Sequence, residues 1–188
     1  MPCSERTVAS SADTPSEEKV VSELMTFPLQ PNVNVMPRLE KGQPAPDFAL
    51  PDEHGATVRL SDFTGRRVVV YFYPADDTPG CTKEACQFSE LTTDFGDRSV
   101  EVLGISPDDG GSHARFRQKY GLSIRLLSDP THEVMERYGA WGEKTLYGKK
   151  SVGVIRTTVL VGPDGTVERA WYHVRADGHA AKVLAELA

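Results

Sequence analysis

The hydrophobic positions along this chain change their period several times, and the changes mark its elements. "TVRL" (57–60) alternates and predicts a short strand after the turn "DEHG". "RRVVVYFY" (66–73) is continuously apolar after its two arginines, the pattern of a strand buried on both faces. From Pro79 to Phe95 the residues Ala85, Phe88, Leu91 and Phe95 recur at helical spacing and predict one helix with one buried face. "VEVLGIS" (100–106) and "IRLLSD" (124–129) predict further strands, with the helix "HARFRQKYG" between them, closed by Gly121. "THEVMERYG" (131–139) gives a shorter helix. The period then becomes two. "SVGVIRTTVLV" (151–161) and "TVERAWYHV" (166–174) flank "GPDG", a type I or II turn signal, and predict an antiparallel hairpin. "HAAKVLAEL" (179–187) is an amphipathic helix.

A βαβ crossover, further alternating elements, a hairpin and a last helix make an α/β order. It calls for a mixed central β-sheet flanked by helices on both faces, and a thioredoxin-like fold fits it best. No internal repeat interrupts the order. Residues 1–35 differ: they are rich in Ser, Thr, Pro and Glu and read as a disordered extension, leaving 36–188 as the folded domain. Within the extension, "TPSEEKVVSELM" carries the signals of one short helix, with Thr14 as N-cap, Pro15 at the first helical position and Glu17 completing a capping box. Met36 opens the globular-looking sequence and is an alternative translation start.

Charge narrows the function classes. The net charge of −6 over 188 residues, without a Lys/Arg run, excludes nucleic acid and an anionic membrane surface as partners. No apolar run is long enough to cross a bilayer, and the first residues lack the basic and apolar regions of a secretory signal, so the cytoplasm is the expected compartment. Three cysteines (Cys3, Cys81 and Cys86) are too few for a disulfide framework and point to reactive thiols or a metal site. Metal is disfavoured, since no Cys or His pair at ligand spacing accompanies them; His113 and His132 fall in predicted helices and read as solvated.

The chemistry concentrates in "YFYPADDTPGCTKEACQFSE" (71–90). Thr78, Pro79, Gly80 and Cys81 fall at the N-cap, N1, N2 and N3 of the long helix. Unpaired N–H groups and the positive end of the macrodipole favour a thiolate there. Ionising a cysteine at neutral pH takes about 3.4 kcal/mol and a helix terminus supplies about 0.3–2, so a further cation is needed. Arg156 is the candidate, a lone charge in the apolar run "VGVIRTTVLV", sharing a strand face with Val154, Thr158 and Leu160. Cys86 lies five residues beyond Cys81, which on a helix separates the two Cα atoms by about 8.6 Å. A disulfide needs about 7 Å or less, so either the two never bond or the first turns melt when they do. Cys86 is otherwise a half-buried helix residue.

These residues resemble a known family. "PADDTPGCTKEAC" is similar to the active-site loop of the peroxiredoxins, P-x-x-x-T-x-x-C, with Pro74, Thr78 and Cys81 at its fixed positions. The cysteine five residues on resembles the bacterioferritin comigratory protein/peroxiredoxin Q subfamily. So do "GQPAPDFAL", "LGISPD", "LLSD", "YGAWGEK" and "IRTTVLVGPDG", in that order. The resemblance implies a thiol peroxidase that reduces hydrogen peroxide and organic hydroperoxides. Cys81 would be peroxidatic and form a sulfenic acid, and Cys86 would resolve it into an intramolecular disulfide. Arg156 would stabilise the thiolate, Thr78 would hydrogen-bond thiolate and peroxide, and Pro74 would shield the site from water. It implies no cofactor, thioredoxin as the reductant, and a monomer, since an intrachain disulfide needs no second subunit. The competing readings on the same fold are a general thiol-disulfide oxidoreductase, which normally needs C-x-x-C, and a non-enzymatic redox switch.

Overall fold

The apolar run that follows Arg67 becomes the central strand of the protein because both of its faces are covered. The computed structural model describes residues 38–146 and 149–187; the helix expected at 14–25, Cys3 and Met36 lie outside them. The strands are β1 (Ala49–Pro51), β2 (Thr57–Arg59), β3 (Arg67–Phe72), β4 (Val100–Ser106), β5 (Arg125–Ser128), β6 (Trp141–Leu146), β7 (Lys149–Val154), β8 (Thr157–Val161) and β9 (Val167–Tyr172). The helices are α1 (Pro79–Glu90), α2 (Thr92–Asp97), α3 (Gly110–Tyr120), α4 (Glu133–Arg137) and α5 (His179–Ala185).

Five strands form the central sheet in the order β5-β4-β3-β8-β9. β3, β4 and β5 run parallel, β8 runs antiparallel to β3, and β9 runs antiparallel to β8, giving the mixed thioredoxin-like sheet expected from the element order. Val68, Val70 and Phe72 enter one core with Leu103, Ile105, Met135 and Val159. Val69, Tyr71 and Tyr73 enter a second with Phe88, Phe95, Phe116, Leu160 and Val183. Helices α1, α2, α3 and α5 cover the second core; α4, the 3-10 turn Leu60–Phe63 and the β1–β2 hairpin cover the first. Each fully buried side chain of β3 contributes about 1.5–3 kcal/mol relative to exposure, which fixes the register of the sheet. Among the described residues no helix is long and apolar enough to cross a membrane.

Three local expectations are corrected. The helix expected over 79–95 breaks at Leu91, where α1 ends and α2 begins (φ −94°, ψ 7°). The Thr92 hydroxyl donates back to the Phe88 carbonyl at 3.2 Å, a bond that bends helices, and also meets Ser123 Oγ at 2.8 Å. The run 151–161 is two strands, not one: β7 ends at Val154 and pairs with β6, while β8 starts at Thr157 and pairs with β3 and β9. In one continuous strand Val154 and Leu160 would share a face, yet Val154 packs in the first core and Leu160 in the second. The change of course falls on Ile155 and Arg156, held by Ile155 N–H to Ala140 O (2.7 Å) and Val174 N–H to Arg156 O (3.1 Å). Finally, His132 is no solvated helix residue but the αL N-cap of α4 (φ 64°), stacked on Trp141 with ring centroids 3.7 Å apart.

Two other expectations are sharpened. Gly121 takes the left-handed C-cap of α3 (φ 64°), as its position predicts. "GPDG" closes its hairpin as a type I turn, with Gly165 N–H bonded to Gly162 O at 3.0 Å; the positive φ (78°) falls on Gly165 and not on Asp164.

Candidate active site

The first turn of α1 is built as its sequence predicts. Thr78 is extended (φ −87°, ψ 147°) at the N-cap, Pro79 opens the helix, and Cys81 stands at N3 with 2% of its surface exposed. The Thr78 hydroxyl does not cap the helix, however. It donates to Ala75 O at 3.1 Å and closes the preceding loop, while Thr78 O accepts from Thr82 N–H at 2.8 Å. Pro74 begins that loop, half-buried, where β3 leaves the sheet.

Arg156 reaches this turn from the break between β7 and β8. Phe72 pairs with Thr157 in the β3–β8 register, so the residue before Thr157 emerges beside the end of β3, where the chain turns toward α1. Arg156 Nη2 donates to Cys81 Sγ at 3.1 Å, and Nη1 donates to Glu84 Oε2. The guanidinium is thus shared between a sulfur and a carboxylate, with 15% of the Arg156 side chain and none of Glu84 exposed. Burial works against the Arg156 charge, but Glu84 and Cys81 together hold its pKa above the ordinary value. Burial pushes Glu84 up to about 7, against the pull of Arg156.

Glu84 escaped the sequence reading. It sits three residues after Cys81, in the sequence "TKEACQ", which reads as an exposed helical face. The available signal was its spacing: Glu84 and Phe88 are four apart, on the face that buries Ala85 and Phe88.

Cys86 remains inside the intact α1, and both Cys81 and Cys86 are free thiols. Half-buried beside the second core, Cys86 has its thiol pKa pushed up by burial and by the Glu90 carboxylate one turn on. Three contacts tie this stretch of helix to the chain before α5: Lys83 Nζ to Asp177 Oδ1 at 2.8 Å, Gln87 Nε2 to the same oxygen at 3.2 Å, and Gly178 N–H to Gln87 Oε1 at 3.0 Å.

His113 corrects a further expectation. Instead of being solvated it is fully buried, with Nδ1 2.8 Å from Asp76 Oδ2 in the loop that precedes Thr78. The face of α3 that buries Phe116 also turns His113 inward, against that loop. Among the described residues no cluster of three His, Cys, Asp or Glu side chains could hold a metal.

The structure therefore brings Cys81, Arg156 and Glu84 into direct contact, places Thr78 and Pro74 in the adjoining loop, and leaves Cys86 apart on the same helix. An arginine donating to a buried sulfur at a helix N-terminus is equipped to stabilise a thiolate and to orient a substrate oxygen.

Residues 41–170 match the AhpC/TSA family. A Mycobacterium tuberculosis protein that carries the name peroxiredoxin is 51% identical over 150 residues, covering 80% of this chain and 96% of the relative. Peroxiredoxin Bcp of Escherichia coli is 42% identical over 146 residues, 78% of this chain and 94% of that one. Among solved structures, the bacterioferritin comigratory protein of Xanthomonas campestris superposes with a TM-score of 0.73 at 36% identity, covering 79% of this chain and 97% of its own.

Proposed function

Because the chain belongs to the AhpC/TSA family as a peroxiredoxin of the Bcp type, and so to the thiol peroxidases, we propose that Cys81 is its peroxidatic residue and Cys86 its resolving one. The observation that carries this reading is the 3.1 Å hydrogen bond from Arg156 to the Cys81 sulfur at the start of α1.

The cycle has three steps. The Cys81 thiolate attacks one oxygen of a hydroperoxide; an S–O bond forms, the O–O bond breaks, and the departing alkoxide or hydroxide takes up a proton to leave as alcohol or water. Cys81 is then a sulfenic acid. Arg156 holds the sulfur before attack and donates to the oxygen on which charge develops, while the first-turn N–H groups of α1 supply further donors. Thr78 closes the site's loop through its bond to Ala75 O, and Pro74 shields the site from water. Next, the first turns of α1 unwind and the Cys86 thiol condenses with the sulfenic acid, releasing water and forming the Cys81–Cys86 disulfide. An external dithiol, thioredoxin in our reading, finally reduces the disulfide and is itself oxidised. Both hydrogen peroxide and organic hydroperoxides are substrates; the Xanthomonas relative is described by an alkyl peroxide reduction activity. One chain contains both sulfurs, so a monomer suffices.

The test is stopped-flow mixing of the reduced protein with one equivalent of hydrogen peroxide, followed by peptide mapping. Consumption of the equivalent, with Cys81 and Cys86 joined within one chain, is the expected result. Thiols that survive a modest excess for minutes would overturn the reading. Peroxide turnover coupled to a thioredoxin system separates a catalyst from a redox switch, and failure to exchange disulfides with unrelated proteins separates it from a general oxidoreductase.

A further inference from the structure

Behind the loop that carries Thr78 lies a buried polar triad in which Cys81 and Arg156 take no part. Tyr73, the residue after β3, donates its hydroxyl to Asp76 Oδ1 at 2.7 Å. His113 from α3 approaches the other carboxylate oxygen, Oδ2, with Nδ1 at 2.8 Å. The Asp76 N–H donates to Asp108 Oδ2 at 2.9 Å, and that same oxygen accepts from the Ser106 hydroxyl at 2.8 Å at the end of β4. Asp76 is thus held at three points by three separate pieces of the scaffold. The His113 side chain is wholly buried and the Asp76 side chain is 4% exposed.

Burying an imidazole and a carboxylate is a poor way to stabilise a protein, because apolar side chains of the same volume would do as well or better. What such a pair adds is direction: hydrogen bonds fix the position of a loop where packing alone would let it slide. Asp76 is two residues before Thr78, the N-cap, and five before Cys81. The residue between, Asp77, is held in a positive φ of 55°, a conformation that persists only where its surroundings enforce it.

We infer that Tyr73, Asp76 and His113 form a positioning device that sets the first turn of α1 in register with Arg156, and so governs the rate of the first oxidation of Cys81. The inference rests on the peroxidase reading above. It predicts a specific asymmetry in His113, because the ring acts through Nδ1 while Nε2 is buried without a partner. Asparagine places an amide N–H where Nδ1 stands, and glutamine places one where Nε2 stands. A displacement of about 1 Å in a reacting group costs on the order of 10²-fold in rate. His113→Leu should therefore slow the first oxidation by about ten- to a hundredfold, His113→Gln should behave like it, and His113→Asn should recover most of the rate.

The experiment measures the second-order rate constant for hydrogen peroxide consumption under single-turnover conditions, per titratable thiol of folded protein, alongside thermal stability. The wild-type protein in the same series tests the peroxidase reading separately: if it consumes no peroxide, that reading fails before the triad is at issue. Given an active wild type, a slower His113→Leu and a restored His113→Asn support the inference. Loss of thermal stability with an unchanged rate per folded thiol overturns it, as does an asparagine variant no faster than the glutamine one. Should His113→Leu not fold, Tyr73→Phe removes one hydroxyl only; a slowed first oxidation supports the device and a wild-type rate overturns it.

Discussion

Replacing Glu84 by glutamine should change how stability depends on pH more than it changes stability itself. The carboxyl is fully buried, and its pKa stands at about 7 in the folded protein against an ordinary 4.5. A carboxyl raised in this way contributes stability that is complete below the unfolded value and is lost as pH rises through the folded one. Between pH 5 and pH 8 that loss amounts to about 2.5 kcal/mol. The wild-type profile conceals it. His179, buried and bonded through Nε2 to the Thr158 hydroxyl at 2.8 Å, is pushed down from 6.5 to about 4 by burial, with Lys182 and Arg156 adding to the effect. Its sign is opposite: stability is complete above 6.5 and is lost as pH falls toward 4, about 2 kcal/mol of it by pH 5. The two groups nearly cancel, so the wild type should show a shallow dependence across this window.

Glu84→Gln removes one member of the pair and leaves the other. The variant should lose stability on acidification from pH 8 to pH 5, relative to wild type, by about 2.5 kcal/mol. Its constant offset, from the altered hydrogen bond to Arg156, should not vary with pH. Urea unfolding at pH 5, 6, 7 and 8 measures both quantities, with unchanged m-values confirming the same transition. Working in a Cys81→Ser background keeps oxidation of the neighbouring thiol out of the measurement. Parallel profiles for the two proteins would refute the buried, half-protonated carboxyl and with it the electrostatic account of the Cys81–Arg156–Glu84 cluster.

Arg156→Met should slow the first oxidation by about 10²- to 10³-fold, the usual effect of removing one donor aimed at developing charge. Because it also strands Glu84 without its partner, the double variant Arg156→Met/Glu84→Gln should regain stability in urea unfolding while staying slow in stopped flow; recovery of the rate would show that the arginine acts only on folding. Cys86→Ser should leave that first oxidation unchanged and block the intrachain disulfide, and a wild-type turnover number with a dithiol reductant would contradict its resolving role. Asp177→Ala removes the shared acceptor of Lys83 and Gln87 and should speed disulfide formation from the sulfenic acid about two- to fivefold, read by quench and thiol alkylation, with peroxide consumption unaltered.

What could be read from the sequence was what local chemistry decides. Thr78, Pro79 and Cys81 announce a helix start through capping rules that span four residues, and β3 announces itself because both of its faces are apolar. Arg156 stood out as a charge in an apolar run, although the run proved to be two strands and the charge sits at their junction. Glu84 and His113 stayed hidden because their burial is decided by partners far along the chain, 72 residues away for Arg156 and 37 for Asp76. The break at Leu91 was hidden for the same reason, since the threonine that bends the helix also meets Ser123, 31 residues on. Charged and hydroxyl side chains in a helical pattern look solvated until tertiary contacts turn them inward.

The two cysteines impose a division of labour on α1. While the helix is intact, Cys81 lies against Arg156, and Cys86 stands five residues on, its Cα about 8.6 Å away along a regular helix and its thiol pKa raised, which in the proposed cycle reserves the first reaction with peroxide for Cys81. In the proposed cycle resolution requires that geometry to be abandoned, so the restraints on the helix decide what unwinding must break. Upstream of Thr78, Asp76 is held by inward bonds to Tyr73, His113 and Asp108, and Asp77 by exposed ones to Lys119 and Tyr120. Downstream of Cys81 the restraints are mixed: Glu84 is held by its buried pair with Arg156, while Lys83 and Gln87 make exposed contacts to Asp177 and Gly178 that water can replace at little cost. Unwinding between the two sulfurs in the proposed cycle must therefore break the Glu84–Arg156 pair as well as the exposed contacts, while the buried bonds of Asp76 hold the loop before Thr78.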